Sequence, residues 1–302
     1  MRFDIVTFGS AVVDVFVDTD VAEKKGMISY PVGAKILLKN LRYDIGGGGT
    51  NTAVAFSRLG LKTGCISKIG EDNDGEEILS LLKREKIKFL GKVEKQRVSG
   101  YSIILDSKGG ERTILTYKGI NDEIEFSEIK KLRTKWLYLT SLLGVSFQSQ
   151  KKLAATLKLK GAKIAYNPSD YLIRKYGQKK LASLLRLCDV VVMNKEEARL
   201  LTKNKDLLLG LHDLIFKSGI VVITDKNQSI QAYDGKKKYS LKPHKIKVIE
   251  RTGAGDAFAS GFVAGLVVGF NVERSLKLGL KESESVIRYF GAKNKLLRMR
   301  LK

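Results

Sequence analysis

The chain has 302 residues, 43% of them hydrophobic and only three proline, which is enough to bury a large core as one big α/β domain or two smaller ones. Glycines and charges interrupt every apolar run before it reaches membrane-spanning length, so no membrane segment is expected. The 55 Lys and Arg against 32 Asp and Glu give a formal charge of +23, but the basic residues are scattered and lack interleaved aromatics; a solvated, anion-attracting surface is expected rather than dedicated nucleic-acid binding.

Residues 3–8 read as a first strand and not as a signal peptide, because Asp4 stands where an apolar region should begin. Short β-branched or aromatic runs follow at 63–69, 136–140, 163–166, 190–193 and 220–224. Between them lie runs of helical period at 50–59, 75–85, 149–159 and 196–201, and an apolar one at 257–268. That alternation predicts a mostly parallel sheet with helices on both faces, in a single domain over 1–302. Cys65 and Cys188 sit in apolar contexts as small core residues. With no disulfide framework and no metal-type spacing, a reducing, cytoplasmic setting is expected.

Two regions break the alternation. Residues 12–45 show little helical period. Residues 96–117 read as a hairpin, with strands at 100–105 and 112–115 joined through Ser107-Lys108-Gly109-Gly110. A small extra sheet of this kind serves either as a flap over a substrate site or as an edge extension or dimer contact, and the sequence leaves both open.

Four motifs carry candidate chemistry. Gly46-Gly47-Gly48-Gly49-Thr50-Asn51 opens a helix, and the glycines permit close backbone approach by something small, with Asn51 able to donate and accept. Gly70-Glu71-Asp72-Asn73-Asp74-Gly75 reads as a structural turn with Asp74 as N-cap. Asn194-Lys195-Glu196-Glu197 directly follows a strand, at the carboxyl edge where open α/β sheets collect ligands. It reads either as an orienter of hydrated Mg²⁺ or as a capping box. Finally, a β-type segment at 245–250 runs into Arg251-Thr252-Gly253-Ala254-Gly255-Asp256 and a helix. Two glycines at a helix start let backbone N–H groups surround an anion, with Asp256 beside it to take a proton. A plain strand-to-helix turn is the alternative.

The ordered set resembles the ribokinase (pfkB) family of carbohydrate and nucleoside kinases over essentially the whole chain. The matching pieces are the glycine signature at 46–60, the Gly-x-Asp-x-x-Gly-like turn at 70–75, and Ser99-Gly100 with the hairpin through Arg112. Asn121, the Asn-x-x-Glu motif at Asn194 and Glu197, and Thr252 to Asp256 complete it. The resemblance implies a ribokinase-like α/β fold with lid segments at 12–45 and 96–117, and an ATP- and Mg²⁺-dependent transfer of a phosphoryl group to a hydroxyl of a sugar or nucleoside. In that reading Asp256 is the general base, and the N–H groups of Gly253, Ala254 and Gly255 form the anion hole. Asp14, Gly46, Gly47, Asn51 and Arg112 bind substrate, while Asn194 and Glu197 hold Mg²⁺ through water. Thr224, Lys226 and Thr252 face the nucleotide. Apart from the resemblance, the positive charge of Arg112, or of Lys35 and Lys39 near the lid, would favour an anionic acceptor. The family also implies a homodimer through the lid and, in some members, a monovalent cation.

Three departures stand out. Thr224-Asp225-Lys226-Asn227-Gln228-Ser229 lacks the glycines usual beside the nucleotide, with Lys226 available to pair with phosphate instead. Glu250-Arg251 replaces an Asp-Thr pair, which bears on the monovalent-cation site. Residues 280–286 are more charged than an adenine-lining segment would be. The rival functions are a catalytically weak sugar- or nucleotide-binding regulator of the same fold, and a basic nucleic-acid-associated protein.

Overall fold

The computed structural model describes residues 2–19, 21–108, 112–215 and 218–301, and of Arg112 the backbone alone. The turn residues Gly109 and Gly110 therefore lie outside the described residues. In chain order the first elements are strands β1 (Arg2–Phe8), β2 (Val12–Asp18) and β3 (Asn40–Gly46), helix α1 (Gly48–Arg58), strands β4 (Thr63–Ile66) and β5 (Lys68–Gly70), and helix α2 (Asn73–Arg84). Strands β6 (Lys88–Phe89), β7 (Lys92–Glu94), β8 (Gly100–Asp106), β9 (Arg112–Tyr117) and β10 (Arg133–Thr140) follow. Then come α3 (Gly144–Leu159), β11 (Lys163–Asn167), α4 (Asp170–Leu185), β12 (Val190–Asn194), α5 (Lys195–Leu201) and α6 (Leu207–His212). Strands β13 (Ile220–Thr224), β14 (Ile230–Tyr233) and β15 (Lys238–Leu241) and helices α7 (Ala254–Val267) and α8 (Val272–Val286) complete the chain.

Among the described residues one sheet runs β15-β14-β13-β12-β11-β10-β1-β4-β6, parallel except at β14 and β15. Its central strands are buried on both faces, which is why they read as continuous apolar runs rather than alternating ones. One core layer packs Phe147, Leu153, Leu172, Ala198 and Leu208 against the sheet, and the other packs Phe56, Phe258, Phe262 and Leu276. Helices therefore cover both faces. No helix among the described residues is long and apolar enough to cross a membrane.

The two irregular regions join into a second sheet, ordered β3-β2-β8-β9. Its register aligns Asp44, Asp14, Ser102 and Thr116 in one row. Side chains directly opposite on paired strands share a face, so this polar row looks one way and the adjacent row Tyr43, Val15, Ile103, Leu115 looks the other.

Three local expectations are corrected. Residues 63–69 form two strands, because at Ser67 the chain leaves the large sheet and β5 pairs instead with β7. Residues 245–250 form no strand: β15 ends at Leu241, and the amide of Ile249 reaches the Ile287 carbonyl at 2.8 Å, tying this segment to the end of α8. The N-cap of α2 is Asp72, which accepts the Gly75 N–H at 2.8 Å, and not Asp74.

Candidate active site

Helix α7 starts at a turn that only glycine can make. Gly253 sits at φ 75°, ψ 0°, in the left-handed region, and a Cβ there would lie 2.5 Å from Cβ of Ala292. No side chain caps the helix. The Ala254 N–H is taken by the Arg251 carbonyl at 3.2 Å, whereas no internal acceptor is found among the described residues for the N–H groups of Gly255 and Asp256. A 14-residue helix with open donors and its dipole's positive end is suited to an anion. Gly255 is exposed, and a side chain there would meet nothing within 4 Å.

Asp256, in the first turn of α7, lies beside the start of α1. Asn51 donates from Nδ2 to Asp256 Oδ2 at 3.0 Å and accepts on Oδ1 from Nζ of Lys293, also at 3.0 Å. Lys293 is buried, and its Nζ stands 3.7 Å from Oδ1 of Asp44. Burial pushes the Asp256 carboxyl above the ordinary carboxylate range, while the Asn51 hydrogen bond and the Lys293 charge pull it back. Lys293 is itself pushed down by burial and held up by Asp44, Asp14 and Asp256. Asp14 is buried and raised to about 6, chiefly by desolvation. Its carboxylate packs so tightly on Gly46 that a Cβ at that position would come within 1.8 Å of Oδ2.

Asp14, Gly47, Thr252 and Asp256 line one cavity of about 260 Å³, together with Ser102, Lys118 and Ser169. Gly46, the last residue of β3, packs on the Asp14 carboxylate, and Asn51 of α1 is bonded to Asp256. A larger cleft of about 900 Å³ opens beside α5 and α6, lined by Lys195, Lys203, Asp206 and Lys238, and it contains none of the residues just described.

Asn194 caps α5. Its Oδ1 accepts the Glu197 N–H at 2.8 Å and its own N–H donates to Glu197 Oε2 at 2.7 Å, a reciprocal capping box. The box spends one oxygen of each residue. Burial raises the Glu197 carboxyl to about 7, with smaller pushes from Asp170, Glu196 and Asp256. Among the described residues no three His, Cys, Asp or Glu side chains converge as a metal cage. A single half-buried carboxylate near an anion site instead suits a largely hydrated Mg²⁺, whose charge would favour the ionised acid.

Thr224 pairs in register with Asn194 at the carboxyl ends of adjacent parallel strands. Lys226 is not brought to the cavity: it occupies a left-handed turn position (φ 45°) with its side chain 74% exposed, 3.9 Å from Glu196. Lys35 and Lys39 are also exposed and do not line the cavity. Arg112 opens β9 opposite Asp106, and its side chain lies outside the described residues. Glu250, in the place of the family's usual acid, accepts the N–H groups of Thr252 at 2.7 Å and Gly291 at 3.0 Å. Its carboxylate thereby braces the turn that leads into α7.

Lys293 and Lys118 are the residues that the sequence reading passed over. Lys293 is buried because Arg58 grips its carbonyl from Nη1 at 2.6 Å while pairing with Glu85 at 2.6 Å. Its one local signal is the small pair Gly291-Ala292 before it, which lets the segment press against Asp44.

The sequence profile of the pfkB family carbohydrate kinases matches residues 2–298. An uncharacterized sugar kinase of Archaeoglobus fulgidus is 28% identical over 81% of this chain and 99% of its own length. An ATP-dependent 6-phosphofructokinase of Thermoanaerobacterium thermosaccharolyticum is 27% identical over 96% of this chain and 90% of its own. The crystal structure of an adenosine kinase from Sinorhizobium meliloti superposes with a TM-score of 0.83 at 21% identity, covering 97% of this chain and 96% of that one, a likeness of fold.

Proposed function

The chain belongs to the pfkB family of carbohydrate kinases, phosphotransferases with an alcohol acceptor, and from that premise we propose that it moves the γ-phosphoryl group of ATP to a hydroxyl of a monosaccharide, with Asp256 as general base. The observation that carries this reading is the placement of Asp256 in a cavity wall at the open N-terminus of α7, steadied by Asn51. The acceptor oxygen attacks the γ-phosphorus as its proton passes to Asp256; the new O–P bond forms, the bond to the β-phosphate oxygen breaks, and ADP leaves. A raised carboxyl pKa favours this proton transfer near neutrality. The N–H groups of Gly255 and Asp256 face the charge that spreads over the phosphoryl oxygens, with Gly253 shaping the turn.

Mg²⁺, held through water by Glu197 and Asn194, would neutralise the nucleotide phosphates. Thr224 and Thr252 border that region, and Lys226, on the turn after β13, offers an exposed ammonium to the nucleotide phosphates. Asp14 offers its carboxylate to acceptor hydroxyls, and the sheet carrying it closes over the cavity against water. A volume of about 260 Å³ and a lining rich in hydroxyl groups suit a monosaccharide better than a nucleoside.

The outer face of that sheet exposes Leu41, Tyr43, Ile103, Leu115 and Tyr117, which supports a second copy of the chain as its partner. Buried free thiols at Cys65 and Cys188 and the use of ATP fit a cytoplasmic setting. Incubation with ATP, Mg²⁺ and a panel of sugars tests the activity: acceptor-dependent ADP release is the expected result, and its absence with every acceptor would count against the proposal.

A further inference from the structure

The wall of the cavity facing away from α1 carries a cation with no acid to match it. Lys118, just past the end of β9, lines the cavity and donates from Nζ to Tyr171 OH at 3.0 Å. Tyr171 in turn donates to the Ser141 carbonyl at 3.0 Å, so its hydroxyl is oriented to accept from the lysine. This fixes the ammonium while leaving two of its three protons uncommitted, and no carboxylate pairs with it among the described residues. The same wall holds Ser169, the N-cap of α4. Its N–H donates to Ser141 Oγ at 2.6 Å, but its own Oγ is buried, caps nothing and has no hydrogen-bond partner among the described residues.

A pinned ammonium and an unsatisfied buried hydroxyl meet on that wall. The other charged groups of the lining, Asp14 and Asp256, belong to β2 and α7, with Lys293 behind them. The cavity is thus divided, with carboxylates on one side and an ammonium among hydroxyl groups on the other. A buried hydroxyl without a partner is costly, and a charge-assisted contact would relieve that cost.

We propose that the acceptor carries an anionic group, a carboxylate or a phosphate, bound by Lys118 and Ser169. Lys118 is then the residue that sets acceptor specificity, which rests on the kinase reading for the site but not on Arg112, Lys35 or Lys39.

Calorimetric binding to the full-length protein and to Lys118→Met tests this with fructose, fructose 6-phosphate, glucose and gluconate, ADP release being followed in the same samples. One phosphorylated or carboxylated sugar is expected to bind at least about 10-fold tighter than its neutral parent, a margin lost in Lys118→Met. Which anion gains shows whether phosphate or carboxylate is read. Equal binding of neutral and anionic sugars, or a margin that survives in Lys118→Met, overturns the inference whether or not ADP appears. ADP release by the wild-type protein reports separately on the kinase reading.

Discussion

Lys293 Nζ lies 3.0 Å from Asn51 Oδ1, and the same amide reaches Asp256 Oδ2 at 3.0 Å, so a buried ammonium orients the group that steadies the proposed base. The donor at Lys293 also fixes which way the amide faces, since an ammonium cannot accept. Removing the charge has a predictable sign. Lys293 pulls the Asp256 carboxyl down against burial, so Lys293→Met should raise it further. At pH 7 turnover is expected to fall about 10–100-fold, with partial recovery as pH rises and the acid limb of kcat/KM displaced upward. A uniform loss at every pH would mean that Lys293 only supports the fold.

Glu197 should trade stability for activity. Its folded value of about 7 lies above the ordinary 4.5, so the fold holds the proton more tightly than the unfolded chain does. That contribution is fully present below about pH 4.5 and is lost as pH rises through about 7. Glu197→Gln, which keeps an oxygen for the capping box, should therefore melt higher than the wild type at pH 8 and equally at pH 4. The gap is on the order of 2 kcal/mol, and the Mg²⁺ concentration needed for half-maximal rate should increase. Thermal melts at both pH values without added Mg²⁺ check the first part, and a Mg²⁺ titration the second.

Two glycines two positions apart should respond differently. Gly253→Ala places a Cβ both at a left-handed backbone angle and against Ala292, and a loss of about 1–3 kcal/mol is expected with loss of activity. Gly255→Val meets no protein atoms within 4 Å, so its melting temperature should stay near that of the wild type while its side chain crowds the open N–H groups. Unchanged turnover in Gly255→Val would place the transferring phosphate elsewhere.

These predictions also mark how much the sequence alone discloses. The parallel sheet is legible because strands such as Val190–Asn194 and Ile220–Thr224 are buried on both faces and read as unbroken apolar runs. Asp256 and Asn51 could be picked out because glycines mark the turns around them, whereas Asp14, inside β2, is legible only through the family resemblance. Their mutual distances could not, since Asn51 and Asp256 are 205 positions apart. Lys293 and Lys118 escape for another reason. A lysine's surroundings are decided by what folds over it, here the Arg58 grip on the Lys293 carbonyl and the Tyr171 hydroxyl beside half-buried Lys118, and a chain at +23 hides these two among many solvated lysines.

Glu85 connects the site to the rest of the fold. It is held below the ordinary carboxylate range first by its hydrogen bond from Arg58, with Arg298 adding to this. A depressed value contributes stability that is present above the ordinary pKa and lost as pH falls through the folded one. Glu85→Gln should accordingly be less stable than the wild type at pH 7, by about 1–3 kcal/mol, with the difference closing below about pH 4. Urea melts at both pH values measure it.

The account stands on the carboxylate of Asp256, and Asp256→Asn keeps its shape and its neighbour Asn51 while removing its basicity. ATP-dependent phosphorylation of the preferred acceptor by this variant is the decisive measurement, made beside a melting curve and a nucleotide-binding isotherm. A rate lowered by about 10²–10⁴-fold with fold and nucleotide affinity retained is the predicted result, and turnover near the wild-type rate would contradict it.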